Sequence, residues 1–339
     1  MIKTSEYCAV GHPDRTCDYI ASFILDRYLE HDARARVALE VQMKDCFVTV
    51  SGEVTSSWKF TNTELAQFVR DAVKDIGYTD EYVRRFGEGN CVSGDGLEVT
   101  LHISQQSRDI AQGVDGNGWG DQGIFWGFAV NDPECGNMPY DYYLARKLAQ
   151  RLDESGLGGH DIKTQVTVED MVRVTEVVVA IPLVDEGLKA NIEAIVREVC
   201  GNEAKITING TGKYLVHGSI GDCGTTGRKL VADFYGGNSK IGGGSPWGKD
   251  PTKADVSLNI LARMKALEYL KAHDLREVQC AISCCIGRPE IRVTYFDGSN
   301  ALLETVTEEE PPEHIIERLG LRYPHYAACC ARGLFGYEG

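Results

Sequence analysis

A pattern of helix, β-hairpin and helix occurs three times along the chain, and it restricts the fold more than any single motif does. The first copy opens at Pro13, a residue suited to the first turn of a helix because its missing N–H would be unpaired there in any case. Ile20, Phe23, Ile24 and Tyr28 then share one helical face. An alternating hairpin over residues 36–43 and 46–55 turns at Lys44-Asp45, and a helix near 63–76 completes the copy. The second copy has a helix over about 141–152, strands over 164–168 and 172–181 around Glu169-Asp170, and a helix over 188–199. The third starts with Asp250 as the expected helix cap and Pro251 behind it, followed by Val256, Ile260 and Met264 at four-residue spacing. Strands over 278–286 and 291–296, broken at Gly287-Arg288-Pro289, lead to a helix near 313–319. The opening helices start near residues 13, 140 and 251. Each such unit buries a helix face on a sheet face, so the repeat predicts an α+β protein of three pseudo-symmetric helix/β-hairpin/helix domains. Their expected bounds are 1–104, 105–217 (with a lid loop at about 106–120) and 218–339.

Glycine is in excess: 37 of 339 residues is about 11%, against roughly 7% in average chains. Ten of the 37 fall in residues 87–127 and 13 in residues 201–248, between the modules' regular elements. Asp, Lys, Gln and Arg are interleaved with them, unlike the Ser-rich composition of a flexible spacer. The net charge of −15 disfavours binding to a nucleic-acid backbone. Residues 205–265, however, carry nine Lys and Arg against four Asp and Glu, a local +5. A basic, glycine-rich island in an acidic protein suits a small polyanion. No stretch of 18 apolar residues is present to span a membrane, and residues 1–6 lack the apolar core of a signal peptide. A cytoplasmic setting is therefore expected, with the 12 cysteines reduced. None has C-x-x-C spacing, which argues against a structural zinc.

Four segments carry candidate chemistry. In Gly221-Asp222-Cys223-Gly224-Thr225-Thr226-Gly227-Arg228-Lys229, glycines let backbone N–H groups turn inward as an anion nest, with Arg and Lys adding charge. Its carboxylate suits a cation or a substrate ammonium. Gly242-Gly243-Gly244-Ser245-Pro246-Trp247-Gly248-Lys249-Asp250 enters a helix as phosphate loops do, but Asp250 stands where a Walker A motif needs a hydroxyl. Lys249 and Lys253 suit phosphate or carboxylate, and Asp255 suits magnesium. Gly11-His12-Pro13-Asp14 presents a donor and a possible Mg²⁺ ligand at a helix start, where both residue types are also ordinary caps. Gln105-Gln106-Ser107-Arg108-Asp109 runs through a glycine-rich stretch to Asp121-Gln122-Gly123, as a mobile lid would. Together these favour a nucleoside triphosphate with Mg²⁺ and leave the second substrate open.

These segments resemble the S-adenosylmethionine synthetase (methionine adenosyltransferase) family. The likeness is carried by Gly11-His12-Pro13-Asp14, Gln106-Ser107, Gly120-Asp121-Gln122-Gly123, Gly221-Asp222-Cys223-Gly224, Thr226-Gly227-Arg228-Lys229, Tyr235-Gly236-Gly237 and Gly248-Lys249-Asp250-Pro251, in the family's order over nearly the whole chain. It implies three pseudo-symmetric α+β domains. The reaction implied is attack by the methionine sulfur on C5′ of ATP, with loss of tripolyphosphate and its hydrolysis to diphosphate and phosphate.

The resemblance places His12 at the triphosphate and Lys163, Arg228, Lys229 and Lys249 on phosphates as the catalytic set. Asp121, Asp161, Lys213, Tyr214, Asp222 and Ser245 join them in ATP binding. Glu53, Gln106, Asp222, Lys253 and Ile286 fall to methionine, Asp14 and Asp255 to two Mg²⁺ ions, and Glu40 to K⁺. A homodimer with shared active sites is implied, with a dimer of dimers as the alternative. Departures from the family pattern are Val10 for Glu, a lid about five residues short, Ser245-Pro246-Trp247 for Ala-Phe-Ser, Lys213 for Arg, and Arg288 after the pocket segment. Arg288 motivates one alternative, the same chemistry on a methionine analogue; a non-catalytic nucleotide-binding relative is the other, although His12, Asp14, Lys249 and Asp255 are all present.

Overall fold

The computed structural model describes residues 2–105 and 118–336. Twelve strands occur there: β1 (Ile2–Cys8), β2 (Arg36–Lys44), β3 (Phe47–Thr55), β4 (Glu98–Ser104), β5 (Gly123–Val130), β6 (Lys163–Glu169), β7 (Arg173–Ala180), β8 (Lys205–Ile208), β9 (Gly224–Thr225), β10 (Glu277–Cys284), β11 (Glu290–Asp297) and β12 (Leu302–Glu309). The three expected hairpins are present as β2–β3, β6–β7 and β10–β11. The helices that open the modules are Pro13–His31, Tyr140–Glu154 and Ala254–His273, and those that close them are Asn62–Ile76, Lys189–Cys200 and Pro312–Arg318. Asn62–Ile76 shows how locally such an element is specified. Thr61 and Glu64 form a reciprocal capping box at its start, Gly77 (φ +117°) ends it, and Leu65, Val69, Ala72, Val73 and Ile76 are its buried stripe.

The sheets are less local than the repeat. Each hairpin forms the middle of a four-stranded sheet, in the orders β9-β2-β3-β4, β1-β6-β7-β8 and β5-β10-β11-β12. The first strand of each hairpin pairs antiparallel with a strand from another module: β9 on β2, β1 on β6 and β5 on β10. Its second strand pairs with the strand that follows it in the chain. That last strand is parallel in the first two sheets and antiparallel in the third. The pseudo-symmetry therefore includes a cyclic exchange of strands.

Each opening helix covers one face of its sheet and seals a separate core. Tyr142, Leu148 and Ala149 pack with Tyr7, Val166 and Val177; Leu258, Leu261 and Ala262 pack with Phe125, Ile282 and Val293. The approach is closest at Gly127 of β5, where an added Cβ would stand 1.9 Å from the Ala262 carbonyl oxygen. Among the described residues, no helix covers the opposite face of β2–β3–β4. Alternation along β2 buries Val37, Leu39 and Val41 and turns Glu40 and Gln42 outward, with Phe47 of β3 58% exposed. Among the described residues no helix is long and apolar enough to cross a membrane.

One expected cap is corrected. The helix after Pro251 begins at Ala254, with Lys253 at its N-cap, and Asp250 serves the first sheet instead: its Oδ2 accepts from Val37 N–H (2.8 Å) and its Oδ1 from Thr252 N–H (2.9 Å). Among the described residues, a backbone donor at a strand edge has taken the carboxylate that local pattern would assign to the helix.

Candidate active site

Two glycine-rich loops, the first containing β9, lie end to end along the edge of β2 opposite β3. Val41 N–H donates to Thr226 Oγ1 (2.7 Å) and Thr226 N–H to the Val41 carbonyl (3.0 Å). Two residues earlier, Leu39 N–H donates to the Gly248 carbonyl (3.0 Å). Glycine is required where the loops press on the first helix. A Cβ on Gly224 would stand 2.2 Å from the Pro13 carbonyl oxygen, and one on Gly248 (φ +70°) 2.6 Å from Ala21 Cβ. The two loops also touch each other, since a Cβ on Gly227 would meet Ser245 Cβ at 2.8 Å. Ser245 itself is buried, its Oγ accepting from Trp247 N–H (3.2 Å).

The first loop joins the start of helix Pro13–His31. Asp14 is fully buried; its Oδ1 accepts from Thr225 N–H (2.9 Å), Lys229 Nζ donates to Oδ2, and Arg228 Nε lies 3.5 Å from Oδ1. His12 caps the helix through Nδ1, which accepts from Asp14 N–H (3.2 Å). Burial, and then the Lys229 charge, lowers its pKa to about 3, so the ring is neutral with its proton on Nε2, available to donate. Lys163, at the start of β6, and Asp222 also act electrostatically on His12, which places both near it. Lys163 lies 3.8 Å from Glu6, and Asp222 is exposed, accepting from Cys223 N–H (2.8 Å). Arg228 is half exposed and also donates to the Cys223 carbonyl (3.4 Å).

Asp161 is buried beside this group. Its Oδ2 accepts from Gly218 N–H (2.9 Å), and Tyr214 OH donates to its backbone carbonyl (3.4 Å). Burial pushes its carboxyl up from 3.8 to about 6. A raised carboxyl favours the folded state fully below pH 3.8, and that contribution is lost as pH rises through about 6. Asp161→Asn, uncharged at every pH, is therefore expected to leave stability unchanged near pH 4 and to raise it near pH 7 by at most about 3 kcal/mol. Thermal unfolding at the two pH values checks this, and an equal shift at both would count against it.

The second loop builds a matching pair. Lys249 Nζ sits 2.6 Å from Asp255 Oδ2, and Asp255 Oδ1 accepts from Gly244 N–H (2.7 Å). Glu40, outward on β2, feels both charges; its carboxyl is raised by partial desolvation, with Lys249 opposing and Asp255 adding. Glu53 follows on the same sheet face, opposite Ala38 and thus diagonal to Glu40. Asp121 joins through Cys284, whose Sγ donates to the Asp121 carbonyl (3.4 Å) and whose thiol is influenced by both Asp121 and Asp255. Lys253, two residues before Asp255, lies 3.7 Å from Asp250.

Other expected positions stand apart. Lys213 is exposed, and none of the described hydrogen bonds or ion pairs ties its side chain to either group. Ile286 is 54% exposed and forms a parallel bridge to buried Trp119. Gln106 and most of the expected lid lie outside the described residues. Among the described residues there is no group of three or more His, Cys, Asp and Glu side chains that could hold a metal unaided. The donors present, the single carboxylates of Asp14 and Asp255, fit Mg²⁺, a hard cation that takes one or two carboxylates and draws its remaining oxygens from water and phosphate. Asp14 and Asp255 each already hold a lysine ammonium, so each is a seat for positive charge. Unforeseen from sequence is the buried set Arg15, Asp18 and Asp233 behind the loops. Its one sequence signal is three charged residues, Asp14, Arg15 and Asp18, crowded into the first turns of one helix.

Models of the S-adenosylmethionine synthetase N-terminal, central and C-terminal domains match residues 1–108, 116–214 and 216–339. The S-adenosylmethionine synthase of Roseiflexus castenholzii is 36% identical over 385 residues, covering 100% of this chain and 92% of that protein. A solved structure described as an unusual S-adenosylmethionine synthetase from Campylobacter jejuni has a TM-score of 0.89 at 30% identity, covering 99% of this chain and 95% of that one. With three domain matches in order and both relatives aligned over almost their whole length, the chain belongs to the S-adenosylmethionine synthetase family and is a methionine adenosyltransferase.

Proposed function

We propose that the two lysine–carboxylate pairs are phosphate-binding ends of triphosphate cradles shared between two copies of the chain, in which ATP and L-methionine are joined. The observation that carries the reading is their arrangement: Asp14–Lys229 and Asp255–Lys249 sit on loops that meet at Gly227 and Ser245. In the proposed step the methionine sulfur forms a bond to C5′ while the C5′–oxygen bond breaks, and the departing tripolyphosphate takes the electron pair. A neutral thioether needs no base, so rate comes from alignment and from stabilising the leaving polyanion. His12 Nε2–H is the donor to the departing oxygen, and Arg228, Lys229, Lys163 and Lys249 carry its charge. Asp14 and Asp255 would hold Mg²⁺ and Glu40 would hold K⁺, and these cations when bound would offset the charge of the polyanion, which water hydrolyses to diphosphate and phosphate. Asp161, Tyr214, Lys213 and Asp121 fall to the nucleoside, and Glu53, Lys253, Asp222, Gln106 and Ile286 to methionine.

The uncovered face of β2–β3–β4, bearing Glu40, Glu53 and Phe47, supports a homodimer in which the open sheet faces a second copy. Sedimentation equilibrium reads this directly, and a monomer at micromolar concentration would contradict it. For the reaction, ATP, Mg²⁺, K⁺ and methionine are incubated with the protein and the products identified by mass spectrometry. S-adenosylmethionine with diphosphate and phosphate is expected. No sulfonium product at stoichiometric enzyme would refute the reading, and ADP would point to phosphoryl transfer. Arg288, exposed beside the Ile286 segment, favours one further reading, preference for a methionine analogue. Competition between methionine and S-alkyl homocysteines decides that point.

A further inference from the structure

Beside Asp161 and Tyr214 lies a packed cluster of rings: Tyr78, Tyr82, Phe86, His160 and His217. His217 has no exposed surface, and Tyr82, on the helix Asp80–Phe86, is buried. The contacts of this pair settle where its protons sit. His217 Nδ1 lies 2.6 Å from the Leu215 carbonyl, which can only accept, so Nδ1 carries a proton and donates it. Burial lowers the pKa of the ring to about 4, so the ring is neutral and Nε2 is an acceptor. Tyr82 OH, 2.7 Å away, donates to Nε2, and its oxygen accepts from His160 N–H (3.1 Å).

Both ends of this chain of bonds lead to the residues assigned to the nucleoside. His160 directly precedes Asp161, and Leu215 directly follows Tyr214. Gly218, whose N–H donates to Asp161 Oδ2 (2.9 Å), directly follows His217. We propose that Tyr82 and His217 are positioning residues for the nucleoside of ATP, holding the 160–161 segment against the 214–218 segment and so setting the separation of the Asp161 carboxyl and the Tyr214 ring. The inference rests on the assignment of Asp161 and Tyr214 to the nucleoside.

The physical case turns on which bonds a nucleotide would leave intact. Two other bonds join the segments, from Gly218 N–H to Asp161 Oδ2 and from Tyr214 OH to the Asp161 carbonyl (3.4 Å). Both use the groups that would have to meet the substrate. The Tyr82–His217 bond uses neither, so it keeps the spacing when the others are drawn on. Tyr82 also has little freedom to move. A Cβ on Gly159 would stand 2.4 Å from its hydroxyl, and its ring stacks on Phe86 (centroids 4.5 Å apart) and on His160 (4.9 Å). A side chain locked by packing and carrying a buried hydrogen bond is the kind of support that fixes a binding geometry. The phosphate end is held differently: Tyr78 OH donates to the Gly11 carbonyl (2.7 Å), next to His12.

Tyr82→Phe is the test, because it keeps the ring and removes the hydroxyl. ATP and tripolyphosphate are the probes, since they share phosphates and differ by the nucleoside. In calorimetric titrations of the full chain with Mg²⁺, Kd for ATP should rise about 10-fold, the order expected from one lost buried hydrogen bond. Kd for tripolyphosphate should stay the same. In steady state, KM for ATP should rise in parallel, with KM for methionine and the hydrolysis of tripolyphosphate supplied directly unchanged. His217→Asn keeps a donor for the Leu215 carbonyl and removes the acceptor for Tyr82, and the same split is expected. The double variant should lose little more than either single one, since both cut one bond.

A folded Tyr82→Phe protein with unchanged ATP affinity and only a lowered unfolding temperature would overturn the proposal. An equal loss of affinity for ATP and tripolyphosphate would overturn it as well. If Tyr82→Phe does not fold, His217→Asn decides by the same two criteria. A wild-type protein that binds ATP but forms no S-adenosylmethionine would refute the proposed reaction, and the binding comparison would still read the effect of the pair.

Discussion

Lys249→Met is expected to lower the rate of S-adenosylmethionine formation by at least about 10²-fold, the usual cost of one preorganised contact to developing charge. The position is pre-set by backbone. Gly248 is pinned to β2 through the Leu39 N–H, and Asp255 holds the ammonium at 2.6 Å from a carboxylate that is itself fixed by Gly244 N–H. If Lys249 serves the triphosphate as proposed, its ammonium is already held in place by Asp255 before the substrate binds. Methionine reproduces the apolar stem of lysine without its terminal ammonium, so the stem's packing is kept while the charge is lost. Asp255 is then left without its ammonium, which raises its demand for another cation. The loss should therefore fall mainly on kcat, and KM for methionine should move far less. Steady-state kinetics with both substrates varied reads the split, and wild-type turnover in this variant would remove Lys249 from the site.

Asp14→Asn should be at least as damaging, by about 10²–10³-fold in turnover. Asn keeps the size and an oxygen for Thr225 N–H, so the helix start and the loop stay joined. What disappears is the negative charge that faces Lys229 and Arg228. Two cations are then left facing an uncharged amide, and the seat for a divalent cation is gone. The Mg²⁺ concentration for half-maximal activity should rise by an order of magnitude or more while the thermal transition shifts little. Asp14→Ala provides the contrast: it also strands the Thr225 N–H, at a cost of about 1–3 kcal/mol. An Asp14→Asn enzyme with unchanged Mg²⁺ dependence would make the residue a structural cap only.

The hairpins and the helices that open each module could be read from sequence because their signals are local. Asp45 (φ 53°) and Asp170 (φ 51°) stand in the left-handed region at the tight turns, where aspartate is tolerated, and the strands on each side alternate. The exchanged strands could not be read so easily. β9 is two residues long, and β1 and β5 acquire their pairing only from hairpins far away in the chain. β12 has mostly exposed residues on both faces and a charged sequence, so it carries no apolar alternation. At the candidate site, residues with family motifs around them could be named one by one as candidates. Their grouping into an Asp14–Lys229 pair and an Asp255–Lys249 pair could not be read, since it depends on which loop reaches which helix. Arg15 was missed for a related reason. A charged residue in a first helical turn reads as solvent-facing, and only the arrival of Asp233 and Trp247 turns it inward.

The exchange of strands among the three sheets also bears on how the chain can fold as it is made. β1 leaves the ribosome first, yet Ser5 finds its partner only at Val166, and β5 must wait for β10, where Trp126 meets Ala281. Both are strands with an open hydrogen-bonding edge until then, a state prone to mispairing. The first sheet is likewise unfinished until residues 224–225 are synthesised. No third of the molecule can close its sheet from its own residues, so folding is tied to nearly complete synthesis and should be slow for a chain with so much local helix. A proteolytic nick between modules would accordingly release no stable fragment, and the halves would stay associated until the whole molecule unfolds.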